Sequence, residues 1–278
     1  MKSTIILLKI GGSIITDKNK PLTLKPALIT DLARQIKKAL KEQPQLQLII
    51  GNGGGSFAHF AAQKYQWQRK ALATSKEHLW GQGQVQAAAS RLNHYWRQAL
   101  LAAKIPVFTL QPSAFLLSKK GEISQFFLSP LQYLLQQGAI PLIYGDILLD
   151  QEKGAHIFST EKLFFFLAQQ LRRQGYPLRQ IIQLTAVDGL FDDQGKLVAR
   201  LTAAAAEKWS FFQPAPKIDV TGGMEHKLKQ AAFLARQGIT TLIINGKKEN
   251  RLYRALCGKE VRGTVIVPPE NNFAASTK

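Results

Sequence analysis

The chain has 278 residues, 45% of them hydrophobic and 20% charged, which is ordinary for a globular protein and enough for one large α/β domain. Its single cysteine, Cys257, excludes an intramolecular disulfide framework and favours a reducing, cytoplasmic compartment. The formal net charge of +19 favours an anionic partner, but scattered lysines and arginines predict no specific nucleic-acid binding, and no apolar stretch is long enough to predict a membrane helix.

Short apolar runs rich in β-branched residues alternate along the chain with longer segments of helical periodicity. The first run, TIILLKI, is interpreted as a strand and not a signal peptide, because Lys9 interrupts it and no small-residue cleavage site follows. The later runs predicted as buried strands are LQLII, IPVFTL, AIPLIY, QIIQLTAV and TTLIIN. The segments predicted as helices are LKPALITDLARQIKKAL, VQAAASRLNHYWRQALLAA, EKLFFFLAQQLRRQ and EHKLKQAAFLARQ, and LLSKKGEISQFF is predicted as a small hairpin.

This alternation predicts a three-layer αβα sandwich built on an open, mostly parallel sheet, in one domain over residues 1–278. Ligands of such sheets bind beyond the carboxyl ends of the strands. The turns that follow the strands are therefore where we expect the functional residues.

Glycine-rich or Gly–Asp turns follow four predicted strands and precede a late helix. They are GGS after the first strand, GNGGGS after the second, Gly145–Asp146, Asp188–Gly189 and DVTGG. One such turn is weak evidence, because glycine is common in turns. Several together, with lysines beside two of them, favour a cleft in which backbone N–H groups bind phosphate oxygens. Neither GxxxxGK[ST] nor GxGxxG after a strand occurs, so the pattern predicts phosphoryl transfer on another scaffold.

Phosphoryl transfer needs cations along the transfer path, and the candidates are Lys9, Lys18 and Lys227. Lys9 has the strongest case, because a lysine in an apolar strand beside Gly11–Gly12 is costly to desolvate unless an anion meets it. Lys18 and Lys227 could equally be solvated surface lysines. His59 follows the glycine triplet, and an imidazole can hydrogen-bond to either protonation state of a phosphate monoester. The alternative is a histidine at a helix start that bonds to a backbone carbonyl.

These motifs resemble those of the amino acid kinase superfamily and, within it, of the isopentenyl phosphate kinases. The resemblance is carried by LLKIGGSIITDK, GGGSFAHFAAQKY, IPLIYGDILLD, VDGLF, DVTGGMEHKL, ING and RGTVI. It implies an amino acid kinase-like fold with approximate lobes at 1–165 for the acceptor and 166–278 for the nucleotide. It also implies a cytoplasmic homodimer in isoprenoid biosynthesis. This enzyme would transfer a phosphoryl group in line from ATP, with Mg²⁺, to isopentenyl phosphate.

The resemblance also implies roles for individual residues. The catalytic residues it implies are Lys9, Lys18, His59 and Lys227. The acceptor-binding residues it implies are Gly54, Gly55, Ser56, His59, Gly145 and Asp146. The nucleotide-binding residues it implies are Lys9, Gly11, Gly12, Ser13, Thr185, Asp188, Gly189, Gly222, Gly223 and Lys227. No residue is predicted as a metal ligand, since no carboxylate cluster has the spacing of a metal cage and Mg²⁺ is expected to arrive with ATP. The five-carbon tail needs an apolar pocket, for which the candidates are Leu72, Leu79, Trp80 and Val85.

The chain departs from the family pattern at three places. Asn52 replaces a histidine before the glycine triplet, and Ala58 replaces a glycine before His59. The family's Ser-Gly-Asp, whose aspartate orients the lysines, is Ser159–Thr160–Glu161 here, so Glu161 and Asp146 are both candidates for that role. Two other functions remain open. One is a kinase of another small phosphate or phosphonate, similar to fosfomycin kinases. The other is a catalytically degenerate module that binds nucleotides or nucleic acid.

Overall fold

The computed structural model describes residues 4–65, 75–209 and 223–269, the last range with side chains from residue 228 onward. The described strands are β1 (Thr4–Ile10), β2 (Leu46–Asn52), β3 (Val107–Thr109), β4 (Leu116–Lys119), β5 (Glu122–Phe126), β6 (Ile140–Tyr144), β7 (Asp146–Asp150), β8 (Gly154–Phe158), β9 (Leu178–Thr185), β10 (Arg200–Thr202), β11 (Thr240–Asn245) and β12 (Gly263–Val267). The described helices are α1 (Gly12–Ile15), α2 (Pro26–Glu42), α3 (Gly55–Lys64), α4 (Lys76–Ala102), α5 (Pro112–Phe115), α6 (Ser129–Gln136), α7 (Thr160–Arg173), α8 (Ala203–Glu207), α9 (Gly223–Arg236) and α10 (Arg251–Leu256).

The main sheet has eight strands in the order β10-β12-β11-β9-β1-β2-β6-β3. Every neighbouring pair is parallel except β11 with β12. This confirms the predicted mostly parallel sheet and places all six predicted strands in it. The carboxyl ends of β1, β2, β6, β9 and β11 therefore meet along one edge.

Helices cover both faces of this sheet, and the alternation of side chains along β1 shows how. Ile6, Leu8 and Ile10 belong to a core cluster that contains buried residues of α2, α4 and α10. Ile5 and Leu7 point the other way, into a cluster with residues of α6 and α7. Since successive strand residues face opposite sides, Lys9 lies on the α7 face. The three predicted layers are thus confirmed.

A second, four-stranded sheet, β5-β4-β7-β8, lies beside the main one. The predicted hairpin is confirmed, because β4 and β5 pair antiparallel, and β7 and β8 form another hairpin. The sequence pattern predicted a turn at Gly145–Asp146. The chain instead continues directly from β6 into β7, and Asp146 is the first residue of that strand. The prediction of a turn there was wrong because the chain passes from β6 directly into a strand of a second sheet.

Candidate active site

The two glycine turns after β1 and β2 pack against each other, backbone to backbone. The strands are neighbours in register, with Ile10 opposite Asn52. A Cβ atom on Gly12 would lie 2.3 Å from the nitrogen of Gly55, and one on Gly53 would lie 3.1 Å from the nitrogen of Gly12. Gly55 also has a positive φ of 51°, which favours glycine. Close turn-to-turn contact is therefore one physical reason for the glycines.

Thr16 bridges the two turns through its hydroxyl group. The hydroxyl donates to the carbonyl oxygen of Gly12 at 2.7 Å and accepts from the backbone nitrogen of Ser56 at 3.0 Å. Thr16 is fully buried, as is Ser56. The sequence analysis did not single out Thr16, although it lies in the ITDK motif. Its bridging role becomes visible only when the second turn is known to lie beside it.

Several backbone N–H groups at the two turns have no acceptor in the described part of the chain. They belong to Gly12, Ser13, Gly54 and Gly55. Gly54 is the residue before α3, so the last two lie at the start of a helix, where the dipole favours an anion. Turns that present unpaired N–H groups at a helix start can bind phosphate oxygens.

Lys9 and Glu161 form an ion pair beneath these turns. The Nζ atom of Lys9 contacts Oε1 of Glu161, and their side chains are only 7% and 19% exposed. α7 carries Glu161 in its first turn and packs closely on β2, since a Cβ on Gly51 would lie 2.7 Å from Cγ2 of Thr160. The expected anionic partner of Lys9 is confirmed, and Glu161 supplies it.

Asn52 connects the second glycine turn to three other elements. Its Oδ1 accepts from Nδ2 of Asn93 at 2.8 Å, and Oδ1 of Asn93 accepts from the Thr109 hydroxyl at 2.9 Å. The carbonyl oxygen of Asn52 accepts from the Thr160 hydroxyl at 2.7 Å. Asn52 is completely buried. The residue that replaces the family histidine thus fixes the second glycine turn to α4, β3 and the start of α7.

Asp146 does not meet Lys9. Its Oδ2 accepts from the backbone nitrogen of Ser113 at 3.0 Å, and its Oδ1 is buried without a hydrogen-bond partner among the described residues. Burial raises the pKa of this carboxyl group, although the hydrogen bonds from Ser113 lower it. Gly145 precedes it, and its nitrogen donates to the carbonyl oxygen of Asn52 at 3.3 Å. Asp146 therefore lies beside the second glycine turn, but it is not the carboxylate that contacts Lys9.

His59 and Lys18 lie near the two turns on exposed positions. His59 is the fifth residue of α3, and Lys18 lies in the loop between α1 and α2. Among the tail-pocket candidates, Val85 is buried with Ile147 and Ala155, whereas Leu79 and Trp80 are more than half exposed. The fourth candidate, Leu72, lies outside the described residues.

Asp188, one of the residues predicted to bind the nucleotide, holds several neighbouring segments together. Its carboxylate contacts Arg251 at 2.6 Å and Arg262 at 2.9 Å, and it accepts from Nδ2 of Asn245 at 3.1 Å. The hydrogen bond from Arg251 is the main cause that lowers the pKa of Asp188. These contacts tie the turn after β9 to β11, α10 and the start of β12. Both carboxylate oxygens already have cationic partners.

The other residues predicted to bind the nucleotide lie at the carboxyl edge of the main sheet or outside the described residues. The Thr185 hydroxyl donates to the carbonyl oxygen of Val187 at 2.8 Å, and a Cβ on Gly189 would lie 2.4 Å from Oγ1 of Thr264. Gly11 donates to the carbonyl oxygen of Leu184 at 3.0 Å, which joins the first turn to β9. Gly222 and the side chain of Lys227 lie outside the described residues. α9 begins at Gly223 and leads into β11, so topology puts its start at the carboxyl edge.

Two features bear on metal and membrane binding. Within the described ranges, no three histidine, cysteine or acidic side chains are grouped as they would be around a metal ion. Even α4, the longest described helix at 27 residues, lacks the apolar stretch needed to cross a bilayer, as do the other described helices.

Comparison with known proteins gives one consistent result. The family model of the amino acid kinase family matches residues 4–245. The isopentenyl phosphate kinases of Methanocaldococcus jannaschii and Methanothermobacter thermautotrophicus are each 32% identical over 270 residues, covering 94% of this chain and 98% of the relative. A solved isopentenyl phosphate kinase superposes with a TM-score of 0.77 at 28% identity, covering 94% of this chain and 100% of the other.

Proposed function

Because the chain belongs to the amino acid kinase family, in its isopentenyl phosphate kinase branch, we propose that it phosphorylates isopentenyl phosphate with ATP. The product is isopentenyl diphosphate, and the enzyme is a phosphotransferase with a phosphate acceptor. The observation that carries the proposal is the contact of two glycine turns beside a buried lysine, with N–H groups that have no acceptor among the described residues. A site of this kind suits a reaction between two phosphate groups, because both bring oxyanions that need donors and cations.

The first turn and Lys9 are proposed to bind the donor. The N–H groups of Gly12 and Ser13 bind phosphate oxygens of ATP, and Gly11 holds that turn against β9. Lys9 lies under the transferring γ-phosphoryl group and neutralises charge there, while Glu161 fixes its ammonium group. Lys18 and Lys227 are proposed to contact the γ-phosphate and the β- and γ-phosphates. The remaining residues proposed for the nucleotide are Thr185, Asp188, Gly189, Gly222 and Gly223.

The second turn is proposed to bind the acceptor. The N–H groups of Gly54 and Gly55 bind its phosphate, and Ser56 anchors them through its bond to Thr16. His59 donates a hydrogen bond to the same phosphate. Asp146, whose pKa is raised by burial, is proposed to line the acceptor side next to Gly145. The apolar cluster around Val85 is proposed to receive the five-carbon tail.

Transfer is proposed to be direct. An oxygen of the acceptor phosphate attacks the γ-phosphorus in line, the bond to the β–γ bridging oxygen breaks, and ADP leaves. Positioning by the two turns supplies most of the acceleration. Glu161 and Asp188 already pair with cations, and no three histidine, cysteine or acidic side chains of the described residues are grouped as a metal cage would require. Mg²⁺ is therefore proposed to enter on the phosphates of ATP, where it supplies further charge neutralisation.

Three further properties are proposals that rest on the family alone or on composition. We propose that the protein is a homodimer, which sedimentation velocity can test. A cytoplasmic location is consistent with the single cysteine, whose thiol has a pKa raised chiefly by burial. A role in isoprenoid biosynthesis follows from the proposed product.

The experiment is ADP release from Mg-ATP with isopentenyl phosphate, with fosfomycin and without acceptor, using the wild type and His59→Ala. We expect turnover with isopentenyl phosphate that falls about 100-fold in the variant, the loss typical of a removed oxyanion donor. Turnover with fosfomycin alone would contradict the proposed acceptor. No turnover with either would contradict the kinase function and favour a binding module. The similarity to isopentenyl phosphate kinases favours neither a fosfomycin-type kinase nor a binding module.

A further inference from the structure

A closed loop joins the first glycine turn to α2. Its two arms are linked by backbone hydrogen bonds from Asp17 to the carbonyl oxygen of Thr23, 2.9 Å, and from Lys25 to that of Ile15, 2.9 Å. Lys25 is the residue before Pro26, which opens α2. These contacts fix the backbone of Lys25 at the base of the loop, while Lys18 lies in its exposed part.

The side chain of Lys25 reaches back to the first glycine turn. Its Nζ atom donates to the carbonyl oxygen of Ser13 at 3.0 Å. Ser13 is also one of the residues whose N–H group has no acceptor among the described residues. An ammonium group has three donor protons, and this bond uses one of them. Lys25 thus brings to the backbone proposed to bind ATP a cation whose other donors have no acceptor among the described residues.

A second lysine comes to the same place from the turn after β11. A Cβ on Gly246 would lie 3.3 Å from Cγ2 of Ile14, so this turn packs on α1 directly after Ser13. Lys247 follows Gly246, and its backbone nitrogen is held by Oδ1 of Asn245 at 3.0 Å. Its side chain is exposed.

The charges at this place are unbalanced. Burial lowers the pKa of Lys25, and the nearby positive charges of Lys247 and Lys18 lower it further, while Asp17 has the opposite effect. Among the described residues that act on Lys25, the carboxylate of Asp17 thus opposes three ammonium groups, with that of Lys25 included. Mutual repulsion of like charges is relieved when an anion binds between them.

We propose that Lys25 and Lys247 form a second cationic site for the phosphate chain of ATP, on the α2 side of the first glycine turn. Lys9 approaches from the opposite, α7 side. The phosphate chain is then held from both faces of the sheet edge, which fixes its direction as well as its position. This inference rests on the proposed use of ATP, but not on the identity of the acceptor.

The test is the affinity of Mg-ADP, measured by titration calorimetry on the full-length protein without acceptor. The variants are Lys25→Gln and Lys247→Gln, with Lys20→Gln as a control that removes one exposed charge from the same loop. We expect Kd to rise about tenfold in Lys25→Gln, the effect of one charge-assisted hydrogen bond, and about threefold in the more exposed Lys247→Gln. Lys20→Gln should change Kd less than twofold.

Adenosine separates a phosphate contact from a structural role, because it has no phosphate chain. Its affinity should be the same in every variant, and Lys25→Arg should restore most of the affinity for Mg-ADP. The inference would be overturned if Lys25→Gln lost adenosine and ADP binding equally. It would also be overturned if Lys25→Gln and Lys247→Gln both bound ADP as well as Lys20→Gln does. If Lys25→Gln does not fold, Lys247→Gln decides. If the protein did not phosphorylate isopentenyl phosphate, the measurement of Mg-ADP affinity would still test this inference.

Discussion

The ammonium group of Lys9 contacts the carboxylate of Glu161, 152 residues further along the chain. The aspartate usual in the family is one methylene shorter, yet here the longer side chain reaches the lysine from the first turn of α7. Close packing of Thr160 against Gly51 sets the distance between α7 and β2. The substitution therefore preserves the ion pair.

Replacing Glu161 tests this relationship. In Glu161→Gln the lysine keeps its charge in a nearly closed site, so we expect kcat to fall about 100-fold and the free energy of unfolding by about 3 kcal/mol. Glu161→Asp should also lower kcat, because the shorter side chain withdraws from Lys9. Steady-state kinetics and urea denaturation measure both effects. Glu207→Gln, which breaks the exposed pair with Arg236, should cost at most about 1 kcal/mol. Wild-type kcat in Glu161→Gln would contradict the assignment.

The glycine turns allow a second prediction. In Gly12→Ala the new methyl group would meet the backbone of Gly55, and backbone cannot give way as a flexible side chain can. We expect a loss of about 3 kcal/mol in unfolding free energy, together with loss of activity. Gly83→Ala is the matched control: it lies in α4 with open space around it and should stabilise the protein by up to about 1 kcal/mol. Equal thermal midpoints for the two variants would show that the turns are not in contact.

The hydroxyl group of Thr16 supports both turns at once. In Thr16→Val the shape is nearly kept, but the backbone nitrogen of Ser56 loses its acceptor. The Gly12 carbonyl oxygen loses the hydroxyl donor and keeps only the backbone N–H of residue 16. We expect a destabilisation of about 1–3 kcal/mol and a higher KM for the acceptor. Thr16→Ser retains the hydroxyl and should restore most of both. Kinetics with varied isopentenyl phosphate, and denaturation of the same samples, provide the measurement. A Thr16→Ser variant as damaged as Thr16→Val would point to the methyl group instead.

Asp146 predicts a pH-dependent stability. The pKa of its carboxyl is higher in the folded protein than its ordinary value of 3.8. The folded state therefore binds more protons between the two values, and stability from this group falls as pH rises through that window. Asp146→Asn removes the effect, so it should be more stable than the wild type at pH 7 and lose this advantage below about pH 4. Denaturation midpoints across pH give the comparison. If the stability advantage of Asp146→Asn over the wild type grew as the pH fell, the raised pKa of Asp146 would be contradicted.

The sequence analysis found the features that depend on local pattern. Lys9 was identified because a charge interrupts an apolar strand, and the turns were found because glycine punctuates strand ends. It could not choose between Glu161 and Asp146, since that choice depends on which helix packs on β2. Thr16 and the Asn52 network were missed for the same reason. Their partners lie far away in sequence, and only the tertiary fold brings them together.

The decisive measurement is phosphorus NMR of the wild-type protein with Mg-ATP and isopentenyl phosphate. We expect resonances of isopentenyl diphosphate to grow in equal amount with those of ADP, and no ADP to form at a comparable rate when the acceptor is omitted. ADP release without any diphosphate product, or no reaction with a protein that is folded and binds ADP, would contradict the assignment of this site to phosphoryl transfer between ATP and isopentenyl phosphate.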